Sequence, residues 1–282
     1  MSLRPRRSLL YVPGDKDRAL EKARGLPVDG LILDLEDSVA PDAKPGARIA
    51  VAETLSNGGF GHREVLVRLN AEGTPWHDED WSAVAGADGA LLPKVESPET
   101  VQRAAERLPP STALWCMLET PIGILRANEI AGASPRLAGL VMGTSDLVKD
   151  LGARHTADRS SVLTALSLSV LAARAHGLVA IDGVHTDLQD DAGFEAACRQ
   201  GRDLGFDGKS LIHPKTIAAA NAAFGPDEAE IAEARKIITA FDEAEQAGKG
   251  VTVSDGKLVE ALHVQAAERT LAIAQAIAQR NA

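Results

Sequence analysis

Short apolar runs alternate along the chain with longer segments in which apolar residues recur at helical spacing. The short runs are rich in Val, Ile and Leu, which predicts strands buried on both faces, as in a parallel sheet. The longer segments predict helices that cross over between successive strands. Eight strands are expected, at residues 8–12, 30–33, 65–69, 89–92, 113–118, 137–142, 178–181 and 208–212.

Between these strands the spacing predicts helices over residues 16–24, 44–55, 78–85, 99–106, 122–131, 161–176 and 191–204. Three of them have N-terminal signals: Asp15 after a Pro-Gly turn, Ser97 before Pro98, and Asp190 or Asp191. Eight strand–helix units match a (β/α)8 barrel in count and size. A doubly wound open sheet is the alternative, but no Gly-x-Gly-x-x-Gly follows the first strand.

Beyond the eighth strand the pattern remains helical. It predicts a long helix over residues 227–247 and a last helix over residues 258–279, separated by a polar, Gly-rich stretch at residues 246–256. The fold class is therefore expected to be α/β, a TIM barrel at residues 1–225 with a C-terminal helical extension at residues 226–282. We expect the extension to cover the barrel or to dock on a neighbouring subunit.

Composition narrows the class of protein. Thirty Lys and Arg against forty Asp and Glu give a net charge of −10, so an extended nucleic-acid-binding face is not expected. Five Phe, three Trp and one Tyr leave little surface for stacking bases or sugars, which also disfavours a glycoside hydrolase. Cys116 and Cys198 form no CxxC pair, which favours a reducing, cytoplasmic location. No apolar stretch has the length of a membrane span or a secretory leader.

Charged and small polar residues stand at the ends of nearly all the predicted strands. Catalytic residues of a TIM barrel gather at these C-terminal strand ends. Charged groups within apolar runs are costly unless they are paired or bind a metal, so their repetition predicts a functional site. The residues that we single out are Asp34, Glu36, Asp37, Arg68, Lys94, Glu119 and Asp146.

Glu119 and Asp146 follow neighbouring strands and predict a site for Mg²⁺, with Mn²⁺ as the alternative. Two carboxylates, waters and substrate oxygens complete an octahedron around such a hard cation. Each acid also has a structural interpretation, Glu119 as the partner of a Lys or Arg and Asp146 as a helix N-cap. Zinc is disfavoured because no HxxxH or HExxH pair occurs.

Arg68 is the natural partner for an anionic substrate, because its guanidinium binds carboxylates through two hydrogen bonds and offsets charge on an enolate. A salt bridge to Glu36 or Asp37 is the structural alternative. These two acids form a cluster with Asp34, and at least one member is expected to orient Arg68 or a metal-bound water. Lys94 is expected to neutralise substrate charge or to act as an acid; a Schiff base is a further option that a divalent ion would make redundant.

Several of these positions lie in longer runs that carry a resemblance. The runs are SLLYVPG (8–14), LDLED (33–37), VRLN (67–70), LPKVE (92–96), ETPIG (119–123), GTSDL (143–147) and GFDGKSLIHP (205–214). In order and spacing they resemble the citrate lyase β-subunit-like family of the aldolase/citrate lyase superfamily. That family includes malyl-CoA and citramalyl-CoA lyases and malyl-CoA thioesterases.

The resemblance implies a Mg²⁺-dependent TIM-barrel enzyme, commonly a homotrimer or a trimer-based hexamer. Such enzymes cleave or form a carbon–carbon bond between an acyl-CoA and a small 2-oxo acid. The implied metal ligands are Glu119 and Asp146, and Arg68 is the implied contact of the oxo acid and the enolate. Glu36 and Asp37 resemble the acidic pair beneath the metal site. The expected substrate-binding residues are Arg68, Lys94, Gly143, Thr144 and Ser145.

One position departs from the family pattern. Active relatives often supply an Asp from the C-terminal segment of a neighbouring subunit as general acid or base, and the matching residue here is Glu260, with Asp255 as a substitute. We expect a carbon–carbon lyase of the malyl-CoA or citramalyl-CoA type, which releases an acyl-CoA and a 2-oxo acid. The alternatives are a (3S)-malyl-CoA thioesterase and a citryl-CoA lyase β-type subunit that needs partner subunits. No nucleic-acid or membrane partner is expected.

Overall fold

The computed structural model describes residues 4–281. Within this range eight parallel strands pair in chain order, and the eighth closes on the first. They are β1 Ser8–Pro13, β2 Gly30–Asp34, β3 Glu64–Arg68, β4 Gly89–Leu92, β5 Ala113–Leu118, β6 Leu137–Met142, β7 Val179–Asp182 and β8 Gly208–Leu211. The predicted TIM barrel is confirmed, and the open sheet is excluded because the strand order closes.

Helices connect the strands much as the periodicity predicts. They are α1 Asp17–Ala23, α2 Lys44–Asn57, α3 His77–Asp80, α4 Pro98–Arg107, α5 Pro121–Leu125, α6 Ala127–Ala131, α7 Thr144–Asp150, α8 Leu163–Ala175 and α9 Asp191–Leu204. The single helix predicted over 122–131 is wrong, because it breaks at Arg126 into α5 and α6. Helix α7 was not predicted, and it places Asp146 in its first turn rather than at its N-cap.

Two of the three predicted N-terminal signals are confirmed. The Ser97 hydroxyl accepts the backbone N–H of Thr100, and the Asp190 carboxylate accepts that of Gly193. The prediction for Asp15 is wrong: α1 begins after Lys16 without a side-chain cap. The Asp15 carboxylate instead lies 2.6 Å from the Lys16 ammonium.

Apolar side chains from the first seven strands fill the barrel interior. They are Leu9, Ile32, Leu66, Leu91, Trp115, Met117, Val141 and Ile181. Trp115 is fully buried, and a Cβ at Gly89 or Gly139 would overlap its ring. Glycine at these two positions therefore makes room for the one indole that fills the centre. This dense packing leaves the polar C-terminal strand ends to form the site.

A buried ion cluster fastens β7 to β8 on the outer side of the barrel wall. Asp182 Oδ2 accepts hydrogen bonds from Lys209 Nζ at 2.8 Å and from Arg159 Nη1 at 2.6 Å. Asp182 Oδ1 accepts the backbone N–H of Gly183 at 2.8 Å. Asp182 and Lys209 are both fully buried, so their pairing offsets the cost of removing each charge from water.

Two compact units divide the chain, residues 6–221 and residues 222–281 with residues 4–5. Helix α10 Ile217–Phe224 spans the boundary, and the second unit contains α11 Glu228–Gln246, strands β9 Thr252–Ser254 and β10 Lys257–Val259, and α12 Ala261–Asn281. The prediction that the last helix starts at residue 258 is wrong. Asp255 and Gly256 have φ of 47° and 78°, which closes β9 and β10 into a hairpin. No helix in the described range is long and apolar enough to cross a membrane.

Candidate active site

A cavity of about 330 Å³ opens where the barrel strands end. It is lined by residues from the ends of β1 to β3 and of β5 to β8. Those predicted from sequence are Asp34, Asp37, Arg68, Glu119, Gly143, Thr144, Ser145 and Asp146. Glu36 and Lys94 join them through ion pairs with Arg68 and Asp146. The structure therefore brings together every predicted site residue of the barrel.

Arg68 is held in the cavity wall by the acids of the β2 end. The strand register sets Asp34 beside Arg68, and Nε and Nη2 of Arg68 each donate to the Asp34 carboxylate at 2.7 Å. Burial alone would raise the pKa of Asp34, but the Arg68 guanidinium holds it below its usual value. This ion pair was expected with Glu36 or Asp37. Its main member is Asp34, which belonged to the predicted cluster but had no assigned role.

Glu36 bridges the two cationic side chains of the site. Its Oε1 accepts a hydrogen bond from Lys94 Nζ at 2.6 Å, and its Oε2 lies 2.8 Å from Arg68 Nη1 in an ion pair without hydrogen-bond geometry. Burial raises the pKa of Glu36 in spite of these cations. Asp37 is more exposed, and its Oδ2 lies 3.3 Å from Arg68 Nη1. The predicted acidic pair therefore consists of one buried and one exposed carboxylate.

Glu119, the first of the two predicted metal ligands, is a buried carboxylate. It is 3% exposed, and its Oε1 accepts the backbone N–H of Lys94 at 2.7 Å. Its carboxylate lies against Gly143, where a Cβ would overlap it. Burial, and then the neighbouring charge of Glu36, raise the pKa of Glu119 to about 8. A nearby cation would stabilise the charged form of this carboxylate.

Asp146 lines the same cavity as Glu119, from the first turn of α7. Its side chain is 29% exposed, and its Oδ2 lies 3.3 Å from Lys94 Nζ. In residues 4–281 no group of three or more His, Cys, Asp and Glu side chains is arranged to hold a metal. Two carboxylates, one buried and one open to the cavity, nevertheless fit a hard divalent cation whose other ligands are water and substrate oxygens.

Tyr11 is a site residue that sequence reasoning missed. It lines the cavity, and its ring centroid lies 4.8 Å from the Arg68 guanidinium carbon. Burial raises the pKa of the Tyr11 phenol, so the ring carries no charge near neutral pH. Tyr11 stands inside an apolar strand, SLLYVPG, and its only signal was a polar atom in that run. The neutral Tyr11 ring stabilises the Arg68 guanidinium through a cation–π contact.

The turn that carries Glu36 is fixed from behind by a second missed residue, Lys44. This lysine is 5% exposed, and its Nζ donates to the carbonyl oxygens of Leu35 at 2.9 Å and Glu36 at 2.8 Å. Asn70 Nδ2 donates to the same Leu35 oxygen at 2.9 Å and to buried Asp80 at 2.6 Å. The acidic side chains therefore project from a backbone whose carbonyl groups are already satisfied.

Glu260 belongs to the second compact unit, between β10 and α12. Its backbone N–H donates to Nδ1 of His263 at 3.0 Å, and α12 begins at the next residue, Ala261. The substitute, Asp255, is exposed at the hairpin turn and pairs with Lys236 at 2.9 Å. The catalytic role of Glu260 and its contribution to a neighbouring subunit stay predictions.

A closed parallel barrel with acids and an arginine around a cavity at its C-terminal strand ends has the organisation of a TIM-barrel enzyme. The model of the HpcH/HpaI aldolase/citrate lyase family matches residues 7–214, and the chain belongs to this family of enzymes, as its motifs predict. It is 52% identical over 276 residues to a (3S)-malyl-CoA thioesterase of Cereibacter sphaeroides, covering 97% of this chain and 96% of the relative.

More distant relatives extend the similarity. The citrate lyase subunit beta of Escherichia coli is 36% identical over 284 residues, covering 96% of this chain and 94% of that protein. A solved structure of CitE from Mycobacterium tuberculosis, in complex with magnesium, acetoacetate and coenzyme A, superposes with a TM-score of 0.79 at 32% identity. That match covers 97% of this chain and all of the CitE chain.

Proposed function

We propose that this protein is a Mg²⁺-dependent hydrolase of malyl-CoA-type thioesters. The observation that carries the proposal is the 52% identity, over almost the whole chain, to a (3S)-malyl-CoA thioesterase. The citrate lyase subunits match at 34–36%. This order favours the thioesterase, the alternative from sequence, over the lyase expected first. The reaction adds water across the thioester and releases free CoA and malate.

Glu119 and Asp146 are the residues that would hold Mg²⁺. The magnesium in the M. tuberculosis CitE complex supports a Mg²⁺ site in this barrel, and the all-oxygen donor pair in the cavity supports its placement at these two residues. When bound, Mg²⁺ supplies Lewis-acid polarisation of an oxygen ligand. The buried carboxylate of Glu119 is held ready by the Lys94 backbone N–H, so its orientation does not depend on the cation.

Arg68 would bind the anionic group of the substrate. Its guanidinium lines the cavity and is oriented by Asp34 on one side and Tyr11 beneath. Such a fixed cation stabilises negative charge that grows on a carbonyl oxygen in the transition state. Glu36 is the buried carboxylate nearest to both cationic side chains, and it holds Arg68 and Lys94 at fixed positions.

A carbon–carbon lyase is the second candidate, and one observation favours it. Arg68 is a guanidinium oriented by Asp34 in the cavity wall, and an enolate formed by retro-Claisen cleavage would need such a cationic partner. Both reactions use the same binding site and differ in the bond that breaks. Hydrolysis breaks the C–S bond, whereas the lyase breaks a C–C bond and leaves the thioester intact.

The products distinguish the two candidates. We would incubate the purified protein with MgCl₂ and malyl-CoA and measure free thiol, malate and glyoxylate separately, with EDTA as the metal control. The expected result is free CoA and malate in equal amounts without glyoxylate. Glyoxylate with acetyl-CoA would instead identify the lyase. Citramalyl-CoA and citryl-CoA, tested in parallel, would define the acyl group.

A further inference from the structure

Lys94 lies in the centre of the acidic cluster in a conformation that lysine rarely adopts. It follows β4 with a φ of 51°, in the left-handed region that disfavours residues with a Cβ. This backbone points its N–H at Glu119 Oε1, 2.7 Å away. Its ammonium lies 2.6 Å from Glu36 Oε1 and 3.3 Å from Asp146 Oδ2. One strained residue therefore contacts both carboxylates of the proposed cation site.

The Lys94 ammonium now does part of what a divalent cation would do. It lies between the carboxylates of Glu36 and Asp146, at 2.6 Å and 3.3 Å, and supplies positive charge to both. A divalent cation on Asp146 would lie within a few ångströms of this ammonium, and like charges at that distance repel strongly where water is scarce. The two cations therefore compete for Asp146.

The Lys94 side chain also has space into which it can move. A second cavity, of about 450 Å³, is lined by Lys94 and Asp146 on one side and by Glu96, Lys149 and Asp150 among others. Asp146 lines both cavities, so the Lys94–Asp146 ion pair stands between them. The Lys94 side chain is 38% exposed, which leaves it free to turn towards the second cavity without disturbing the packed core.

We propose that Lys94 is the resident counter-ion of the cation-free site and that a divalent cation must displace its ammonium from Asp146 in order to bind. Lys94 thereby weakens Mg²⁺ binding while its backbone keeps Glu119 in position. The inference rests on the proposed cation site. It adds that the chain carries its own competitor for that site, which sets the Mg²⁺ concentration at which the enzyme becomes loaded.

The test is to titrate the cation-free protein with MgCl₂ alone and to measure binding by isothermal titration calorimetry. Lys94→Met removes the charge, and Lys94→Gln removes it but keeps a hydrogen-bond donor; neither variant changes the backbone N–H. We expect both to bind Mg²⁺ at least tenfold more tightly than the wild type, about 1.4 kcal/mol. Lys149→Met, which removes a lysine from the same second cavity, is the matched control and should change the affinity less than threefold.

Equal or weaker Mg²⁺ binding by both Lys94 variants overturns the inference. A crystal structure with Mg²⁺ gives a second measurement: the distance from Lys94 Nζ to Asp146 Oδ2 should exceed 4 Å, and an intact ion pair beside bound Mg²⁺ also overturns it. Neither readout depends on turnover. If malyl-CoA is not hydrolysed but the Lys94 variants bind Mg²⁺ more tightly, the proposed function fails and the inference stands. If malyl-CoA is hydrolysed normally but the wild type and the Lys94 variants bind Mg²⁺ equally, the inference fails and the proposed function stands.

Discussion

Two buried groups of charges in the barrel differ in whether the protein satisfies them. On the outer wall both oxygens of Asp182 are bound, by Lys209, Arg159 and the Gly183 N–H, so the protein itself satisfies this carboxylate. At the barrel mouth five carboxylates gather around Arg68 and Lys94, and Asp146 remains partly exposed to a cavity. Buried charge alone therefore does not mark a site. A site is marked instead by an excess of charges of one sign beside a cavity.

The largest expected effect comes from Glu119→Gln at the mouth. The amide keeps the shape of the side chain and an oxygen to accept the Lys94 N–H, but it removes a proposed cation ligand. We expect turnover to fall at least a thousandfold, about 4 kcal/mol of barrier. The free energy of unfolding without Mg²⁺ should not decrease, because the variant no longer buries a carboxylate beside Glu36.

Asp146→Asn provides the parallel measurement for Glu119→Gln. It should lose turnover to a similar extent, with calorimetry showing weakened Mg²⁺ binding. Turnover like that of the wild type in either variant contradicts the metal assignment.

The same type of change on the outer wall should act on stability instead. Asp182→Asn leaves the buried ammonium of Lys209 without a carboxylate, and breaking such a pair costs about 3–5 kcal/mol. Urea unfolding followed by circular dichroism measures the loss. The triple variant Asp182→Leu, Lys209→Met, Arg159→Met, which removes all three charges of the cluster, should recover much of it. A loss below about 1 kcal/mol for the single variant would remove the distinction between the two groups.

A smaller effect tests whether a sixth carboxylate joins the mouth group. Glu260→Gln should lower turnover about tenfold, or about 1.4 kcal/mol of barrier, if Glu260 acts as the predicted acid or base. Asp255→Asn is the control, because the Asp255 carboxylate is exposed and paired with Lys236. An unchanged rate for Glu260→Gln would show that Glu260 has no catalytic role. A loss of turnover confined to Asp255→Asn would show that Asp255 is the acid or base instead.

The smallest effect concerns the neutral support beneath Arg68. Tyr11→Leu removes the ring 4.8 Å from the guanidinium and should lower kcat/KM about fivefold, which corresponds to the roughly 1 kcal/mol of a partly buried cation–π contact. Tyr11→Phe keeps the ring and should stay within twofold of the wild type. Equal losses in both variants would show that the phenol oxygen, not the ring, is what Arg68 needs.

Most strands were predictable because burial on both faces gives them a continuous apolar run, although β8, which reads Gly-Lys-Ser-Leu, is an exception. Every predicted strand agrees with the structure to within one residue at each end. Helix α7 was missed because its only apolar residues, Leu147 and Val148, are adjacent and establish no helical period. The β9–β10 hairpin was missed because each of its strands has only three residues.

The composition of the site was predictable, but its pairing was not. Charged residues at strand ends are visible in the sequence, and they identified Arg68, Glu119 and Asp146 as neighbours in one cavity. That Arg68 pairs mainly with Asp34 depends on the register of β2 against β3, which no single strand encodes. The bridging position of Lys94 depends on a positive φ after Pro93, which no local pattern announces for a lysine.

The contact between Glu119 and Gly143 has a consequence for how sequences of this kind can change over time. A Cβ at residue 143 would overlap Oε2 of Glu119 and lie 2.5 Å from its Cβ, so this backbone needs glycine at 143 for any residue at 119 that has a Cβ. Shortening the side chain at 119 therefore removes the proposed cation ligand without freeing position 143. We expect homologous chains to keep glycine at 143 even where residue 119 is no longer glutamate, so residue 119, and not residue 143, separates metal-dependent members of the family from those that have lost the metal site.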